Sequence, residues 1–281
     1  MDPMPSRPAL LEPAIPAPLR RDVLHVRIFQ NPDPTPFAVK VAPVALPGIV
    51  LHHKGRGRAI RAIATPLGTV TRLPLAFLYG PGTTPSTISY HGGPHLTVQI
   101  ILKPQGLRTL LGLDARRLRN GLLPLSRLLG APSTRALLAA GTPQAKADLL
   151  LQFLVGKAER STTRDALVER ALDLVEQQIE NLRLPRILHA LDVSERQLER
   201  RFAVSVGISP KTYLRVRRFN QALRLMKSRR YRSLASIAYA LGFADQSHFI
   251  RDLKAFSNVT PKSLSDRADQ FHEQAGFSHE D

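Results

Sequence analysis

Arg196, Glu199 and Arg200 are grouped in one short segment of this 281-residue chain, and Gln246, Ser247, Ile250 and Arg251 in another. These side-chain types share one chemistry, the reading of base edges. Arg donates two parallel bonds to guanine O6 and N7, Gln pairs with adenine N6 and N7, Glu accepts from cytosine N4, and an apolar group such as Ile meets a thymine methyl. Positions three and four apart share one face of a helix. Arg196, Glu199, Arg200 and Ala203 therefore form one stripe, and Gln246, Ser247, Ile250, Arg251 and Lys254 a second. Arg201, Arg215, Arg217, Arg218, His248 and Lys254, with Arg229 and Arg230, are placed to touch phosphate. The plainer reading is that an exposed Arg on a helix is a solvated charge. By that reading Glu199 pairs with Arg196 or restrains Arg200, and Arg218 braces helices through an ion pair.

The elements that must carry these stripes favour the first reading, because they occur twice. The segment Ser194–Lys211 (SERQLERRFAVSVGISPK) returns 51 residues later as Asp245–Lys262 (DQSHFIRDLKAFSNVTPK). At that offset Leu198 matches Phe249, Arg200 matches Arg251, Phe202 matches Leu253, and Ser209-Pro210-Lys211 matches Thr260-Pro261-Lys262. Leu198 and Phe202 in the first copy, and Phe249, Leu253 and Phe256 in the second, should face a core. Each copy follows a short apolar helix and a tight turn. Ser233–Leu241 ends at Gly242, with the small residue Ala238 four positions earlier allowing close helix approach. Pro185–Leu191 ends at Asp192, which tolerates positive φ better than most residues. Ser194 with Gln197 has the form of a capping box, and Ser209-Pro210 and Thr260-Pro261 set a capping hydroxyl before a first-turn proline. Between the copies, Pro210–Lys227 should form one helix of 18 residues, about 27 Å at 1.5 Å per residue. A turn of B-DNA is about 34 Å, so such a rod would present two helices to successive major grooves.

Charge supports a polyanionic partner. Lys and Arg total 40 against 22 Asp and Glu, a formal charge of +18. Residues 1–159 hold 19 basic and 7 acidic groups, and Arg183–Lys262 holds 17 and 5, so each carries +12. Such a balance suits nucleic acid or an anionic surface. With no cysteine, disulfides, thiol nucleophiles and cysteine-ligated metal are excluded, and a reducing, cytoplasmic compartment is expected. No apolar run reaches the about 18 residues of a spanning helix. Met1 to Leu19, rich in Pro and Ala, reads as a disordered tail rather than a signal peptide.

The texture changes along the chain. Up to about Gln105, Phe37–Val41, Gly48–His52, Thr69–Leu78 and Leu96–Leu102 read as strands between Pro-Gly turns. From Gly106 to Leu154, Leu107–Leu111, Arg116–Asn120, Ser126–Leu129 and Ala145–Leu154 read as helical, and beyond Arg164 the period is 3.6 throughout. The fold class expected is an α+β domain of short strands and helices, followed by an all-α domain with two helix–turn–helix units joined by a long helix. The boundaries expected are a tail at 1–19, the α+β domain at 20–158, a linker at 159–164, the helical domain at 165–268 and a polar tail at 269–281.

Residues 165–266 resemble the AraC/XylS-type DNA-binding domain of bacterial transcription regulators. The resemblance is carried by Tyr213–Met226 (YLRVRRFNQALRLM), Ser233–Phe249 (SLASIAYALGFADQSHF) and Thr260-Pro261. It implies base contacts from Arg196, Glu199, Arg200, Gln246, Ser247, Ile250 and Arg251. The departures are Asp192 at the usual turn glycine, Asp252-Leu253, and Phe256-Ser257-Asn258 near the usual aromatic–glycine ending; Asp252 would set a negative charge beside DNA. Residues 20–155 look like the N-terminal region of a subgroup of these regulators, through Phe77–Leu113, which implies sensing or dimerisation. The function expected is sequence-specific regulation of transcription on double-stranded DNA. RNA polymerase, an unidentified small-molecule effector and a second copy of the chain are the further partners considered, with no membrane and no cofactor. The alternative is a nonspecific, architectural nucleic-acid binder.

Other constellations are weaker. His91 and His95 straddle Gly-Gly-Pro, which breaks helical ligand geometry, with His52 and His53 the nearest further ligands; strand-end turn roles fit them better than metal. Gly55-Arg56-Gly57-Arg58 reads as a basic hairpin tip, and no Lys-Ser/Thr follows to make a phosphate loop. Leu122–Leu125 and Leu128-Leu129 are expected to pack on the sheet or form a dimer face. The first domain has no Ser-His-Asp pattern, no nucleophile elbow and only seven acidic residues, so no enzyme is expected.

Overall fold

The computed structural model describes residues 9–33, 35–55, 57–179, 182–229, 231–243, 245–266 and 268–272. Its N-terminal part is built on two sheets. The first holds β1 (Ala9–Leu11), β2 (Val23–Asn31), β4 (Gly48–His53), β7 (Ala76–Tyr79), β9 (His95–Leu102) and β10 (Leu122–Pro124), in the order β1-β2-β9-β4-β7-β10 and antiparallel throughout. The second holds β3 (Phe37–Val41), β5 (Ile60–Thr65), β6 (Gly68–Val70), β8 (Ser86–Tyr90) and the two-residue β11 (Phe271–His272), in the order β11-β3-β8-β5-β6.

Alternation along the first sheet divides two cores. Ile49, Leu51, Leu78, Val98 and Ile100 join a buried cluster with the helices α1 (Gly106–Leu111) and α4 (Pro143–Ala158). Val50 and Phe77 point the other way and cluster with Val39, Ile88 and Tyr90 of the second sheet. β9 is covered on both faces and buried along its whole length, His95, Thr97 and Gln99 included. The layers are therefore helix, sheet, sheet. The short helices α2 (Ser126–Leu129) and α3 (Ala131–Ala139) complete the outer layer. Lys146 of α4 is buried and donates to Leu138 O at 2.5 Å, satisfying carbonyls at the end of α3.

Several sequence expectations are corrected here. Thr69–Leu78 is not one strand, since β6 belongs to the second sheet and β7 to the first, with Pro74, which has no N–H for a ladder, in the crossing. Arg116–Asn120 is a 3-10 turn over Ala115–Leu118, followed by Asn120 at φ +53°. Leu122–Pro124 is an edge strand, while Leu125 is buried and Leu128 and Leu129 pack against the helix-side core. Ala9–Leu11 pairs with β2, and Leu19 is fully buried at the end of a 3-10 turn, so residues 9–19 of the expected tail are ordered; residues 1–8 lie outside the described ones. Phe271 and His272 pair in parallel with β3, so the start of the expected polar tail is a sheet edge.

The C-terminal part is helical: α5 (Ala166–Gln178), α6 (Leu184–Leu191), α7 (Glu195–Val206), α8 (Pro210–Lys227), α9 (Leu234–Ala240), α10 (Gln246–Ser257) and α11 (Pro261–Asp266). α6 and α7 form one helix–turn–helix, α9 and α10 the other, and α8 runs between them over the expected residues. The caps follow the sequence. Ser194, Ser209 and Asp245 accept from the backbone N–H three residues on, at 3.3, 3.1 and 2.7 Å. Asp192 sits at φ +50° and Gly242 at +65°, the left-handed conformation a tight inter-helix turn needs.

Segment 159–164 is tied down. Ser161 Oγ donates to Thr109 O, Thr163 Oγ1 donates to Arg108 O at 2.6 Å, and Arg164 pairs with both Asp22 and Glu169. Asp22 is fully buried and also accepts from Thr109 Oγ1 at 2.7 Å.

Candidate nucleic-acid interface

The hydrophobic stripe of each recognition helix fixes which residues look outward. On α7, Leu198, Phe202 and Val206 are buried in the helical core; on α10, Phe249, Leu253 and Phe256 are. Phe202 meets Tyr213 of α8 at 5.6 Å between ring centroids, and Phe256 meets Phe219 at 5.5 Å, so both helices are seated on the same central helix. The opposite faces carry the expected readers. Arg196, Glu199, Arg200, Gln246, Ser247 and Arg251 are exposed and Ile250 is half-buried.

The polar members of this set make no side-chain hydrogen bond or ion pair among the described residues. The Glu199–Arg196 and Glu199–Arg200 pairings are thus not formed. An Arg guanidinium with all five donors free is available to a partner.

Four of the six expected phosphate contacts behave differently. Arg201 holds Asp165 with Nε and Nη2, both at 2.8 Å, which raises its pKa. Arg215 forms a fork on Asp252, with Nη2 at 2.7 Å, and lies over the Phe256 ring. Arg217 bonds Glu176 at 2.7 Å. Arg218 donates to Leu182 O and covers the Phe243 ring at 5.7 Å; burial pushes its guanidinium below the usual range. Arg217 and Arg218 are therefore corrected to bracing residues: α8 is packed on most sides, so cations along it are drawn into the protein. Arg218 uses a carbonyl and a ring rather than the ion pair considered for it. Lys254 is exposed, His248 is half-buried with its ring against Phe243, and Arg229 is exposed at φ +52°. Arg230 lies outside the described residues, as do Ala244 of the turn and Arg56 of the basic tip.

Asp252 is likewise corrected. It is 2% exposed and faces Arg215 rather than DNA. Its place in the inward register with Phe249 and Phe256 was the signal available in the sequence. Asp165, which caps α5 and anchors Arg201 at once, had none.

The N-terminal histidines are structural in setting. His52 is fully buried; its Nδ1 accepts from Ile60 N and its Nε2 faces Pro74 O, both at 3.0 Å, and burial pulls its pKa down to about 4. His95 stacks on Tyr90 and Phe37, while His91 is exposed.

Two capped helices seated on one central rod, each with an exposed polar face, define a DNA-binding transcription regulator of double helix–turn–helix type. Residues 187–267 match the family model described as a helix-turn-helix domain, within the segment that resembles the AraC/XylS-type DNA-binding domain. Among solved structures it is similar to ToxT from Vibrio cholerae, at 15% identity over 89% of this chain and 98% of that one, TM-score 0.44. It is also similar to an AraC-type regulator from Chromobacterium violaceum, at 30% identity over 37% of this chain and 93% of that one, TM-score 0.33. The C-terminal domain of AraT, a response regulator from Geobacillus stearothermophilus, matches at 24% identity over 41% of this chain and 96% of that one, TM-score 0.35. No curated protein matches the chain. No helix among the described residues is long and apolar enough to cross a membrane.

Proposed function

We propose that the protein reads one DNA face through α7 and α10, set in successive major grooves, and regulates transcription from that site in the cytoplasm without catalysing a reaction. The observation that carries this is the division among the charged groups. Arg196, Glu199, Arg200 and Arg251 are exposed and unengaged, whereas the arginines beside them are committed to the fold. Arg200 and Arg251 are the main guanine readers, Gln246 reads adenine, Glu199 cytosine, and Ser247 and Ile250 the bases next to them, with Arg196 at the end of the first stripe. Lys254, His248 and the outer edges of Arg201 and Arg215 touch phosphate. The domains suggested are 20–158 for sensing or dimerisation and 165–268 for DNA, with RNA polymerase, an effector and a second copy as further partners.

Selection of bound sites from a random duplex pool tests this. A recovered motif of two half-sites about ten base pairs apart is expected. Arg200→Ala and Arg251→Ala should each cost about 1–3 kcal/mol on that motif and little on random DNA. Equal losses on both would reduce these residues to phosphate contacts, and a pool without preference would leave the architectural reading, which the +18 charge favours.

A further inference from the structure

Between the two sheets lies a cavity of about 220 Å³ whose lining includes no Asp, Glu, Lys, Arg or His. Its walls are mostly apolar, with Val50, Phe77 and Ile88 in the sandwich and Ile63 and Leu122 beside them. Polar side chains interrupt this lining at Thr65, Thr84, Ser86, Tyr90 and Asn120, and at two buried groups of the first sheet. Thr97, buried in β9, has an Oγ1 with no hydrogen-bond partner. The Tyr79 hydroxyl accepts from Gln99 Nε2 at 3.2 Å, which leaves its own proton to give, and burial raises its pKa to about 12. A buried hydroxyl without a partner costs free energy, and a ligand with one polar group would relieve it. A carboxylate would lose its hydration and gain no cation, which disfavours it here. An apolar cavity of about 150 Å³ already takes benzene, so this one has room for two fused rings.

One wall of the cavity is also a wall of the helical core. Ala42, Pro43, Val44 and Leu46 line it, while Ala42 and Ala45 belong to the buried cluster of Phe219 and Leu223 on α8. Asn220 of α8 donates to Pro43 O at 2.8 Å. Ala45 is fully buried at φ +56°, its N–H bonded to Gly82 O at 3.1 Å. That conformation is unfavourable for a residue with a Cβ, so contacts on both sides must hold this strap.

We propose that the cavity binds an uncharged, largely apolar molecule of one or two rings bearing a hydroxyl, N–H or carbonyl group, and that residues 42–46 pass its occupancy to α8. This rests on the N-terminal domain being the sensing part of the regulator, and gives that part a ligand class and a route to the DNA-binding helices.

Indole is the probe, because the chain has no Trp and indole emission is then read without protein background. On the full-length protein, saturable indole binding is expected, with indole-3-carboxylate at least ten-fold weaker. Val50→Phe should fill the cavity and abolish binding, and Thr97→Val should weaken it several-fold should the larger substitution unfold the chain. Saturation with indole should shift affinity for the selected duplex at least three-fold, and Asn220→Leu should bind indole yet lose that shift. No saturable binding, equal binding of the carboxylate, or unchanged binding in both cavity variants overturns the site; an unaltered duplex affinity at saturation overturns the strap. Neither result touches the DNA-recognition reading, which fails instead when the indole-free protein shows no site preference.

Discussion

The two helix–turn–helix units solve one problem with opposite charges. At equivalent positions, 51 residues apart, Arg201 anchors α7 to Asp165 at the start of α5, and Asp252 anchors α10 to Arg215 on α8. Both helices are held by an ion pair one residue after an exposed arginine, Arg200 or Arg251. The helix ends differ as well. α7 closes on Gly207 at φ +88° and α10 on Asn258 at φ +57°. A Cβ on Gly207 would come within 2.7 Å of Ala115 O and 2.8 Å of Pro81 Cγ, whereas Asn258 is exposed. α7 packs on α1 and the 3-10 turn at Ala115–Leu118, while α10 packs chiefly on α8, α9 and α11. The first reading head is thus held by the N-terminal domain and the second is carried by the helical domain, so what loosens the N-terminal domain should reach the first head before the second.

Acid provides the largest test. Burial lowers the His52 pKa to about 4 from an ordinary 6.5, and lowers those of His25, His53 and His95 in the same direction. The unfolded chain then binds more protons than the native one, so stability is full above pH 6.5 and is lost as pH falls toward 4. His52 alone accounts for about 3 kcal/mol of that loss. Urea midpoints measured across this range should fall accordingly, and less steeply in His52→Asn. A flat profile would mean that the N-terminal domain is no more acid-sensitive than the rest.

Asp252→Ala comes next. The carboxylate is almost wholly buried while Arg215 is 37% exposed, so the stranded cation regains some water and the cost should be about 2–3 kcal/mol, below the full penalty for breaking a buried pair. Gly207→Asn should follow at about 2 kcal/mol. Asn accepts positive φ, so the cost comes from overpacking against Ala115 and Pro81. The mirror change Asn258→Gly should move stability by a few tenths of a kcal/mol only. Chemical denaturation of the three variants gives the ranking, and equal effects at 207 and 258 would remove the asymmetry between the heads.

Legibility in the sequence followed the range of the interactions involved. The helical domain could be read because its signals are local: Ser209 before Pro210, the i,i+4 spacing of Leu198 and Phe202, and the left-handed turn at Asp192. The free faces of α7 and α10 followed from the same periodicity. The sandwich was only half legible. β2, β5 and β8 carry weak strand signals because Val23–Asn31 mixes His, Arg and Gln with its apolar residues, and Ile60–Thr65 and Ser86–Tyr90 are short. Their pairing is decided by strands far away in sequence. The fates of Arg201, Arg215, Arg217 and Arg218 were not legible for the same reason: whether an arginine on a helix meets solvent or protein depends on partners 36 to 41 residues distant.

The smallest predicted effect bears on how the first head is held. Arg201 is 41% exposed and Asp165 21%, so their pair is screened by water and should be worth about 0.5 kcal/mol. Asp165 also accepts from Leu167 N and Val168 N as the cap of α5, a role that survives loss of the arginine. Arg201→Ala should therefore barely shift the urea midpoint, whereas Asp165→Ala should cost about 1 kcal/mol more through the lost cap. If Arg201 also meets phosphate, its removal should lower the salt dependence of DNA binding by about one counterion, with the selected motif unchanged. A stability loss matching that of Asp252→Ala would instead mean that both heads are fixed by ion pairs of equal weight, and that packing against the N-terminal domain adds little to the hold on α7.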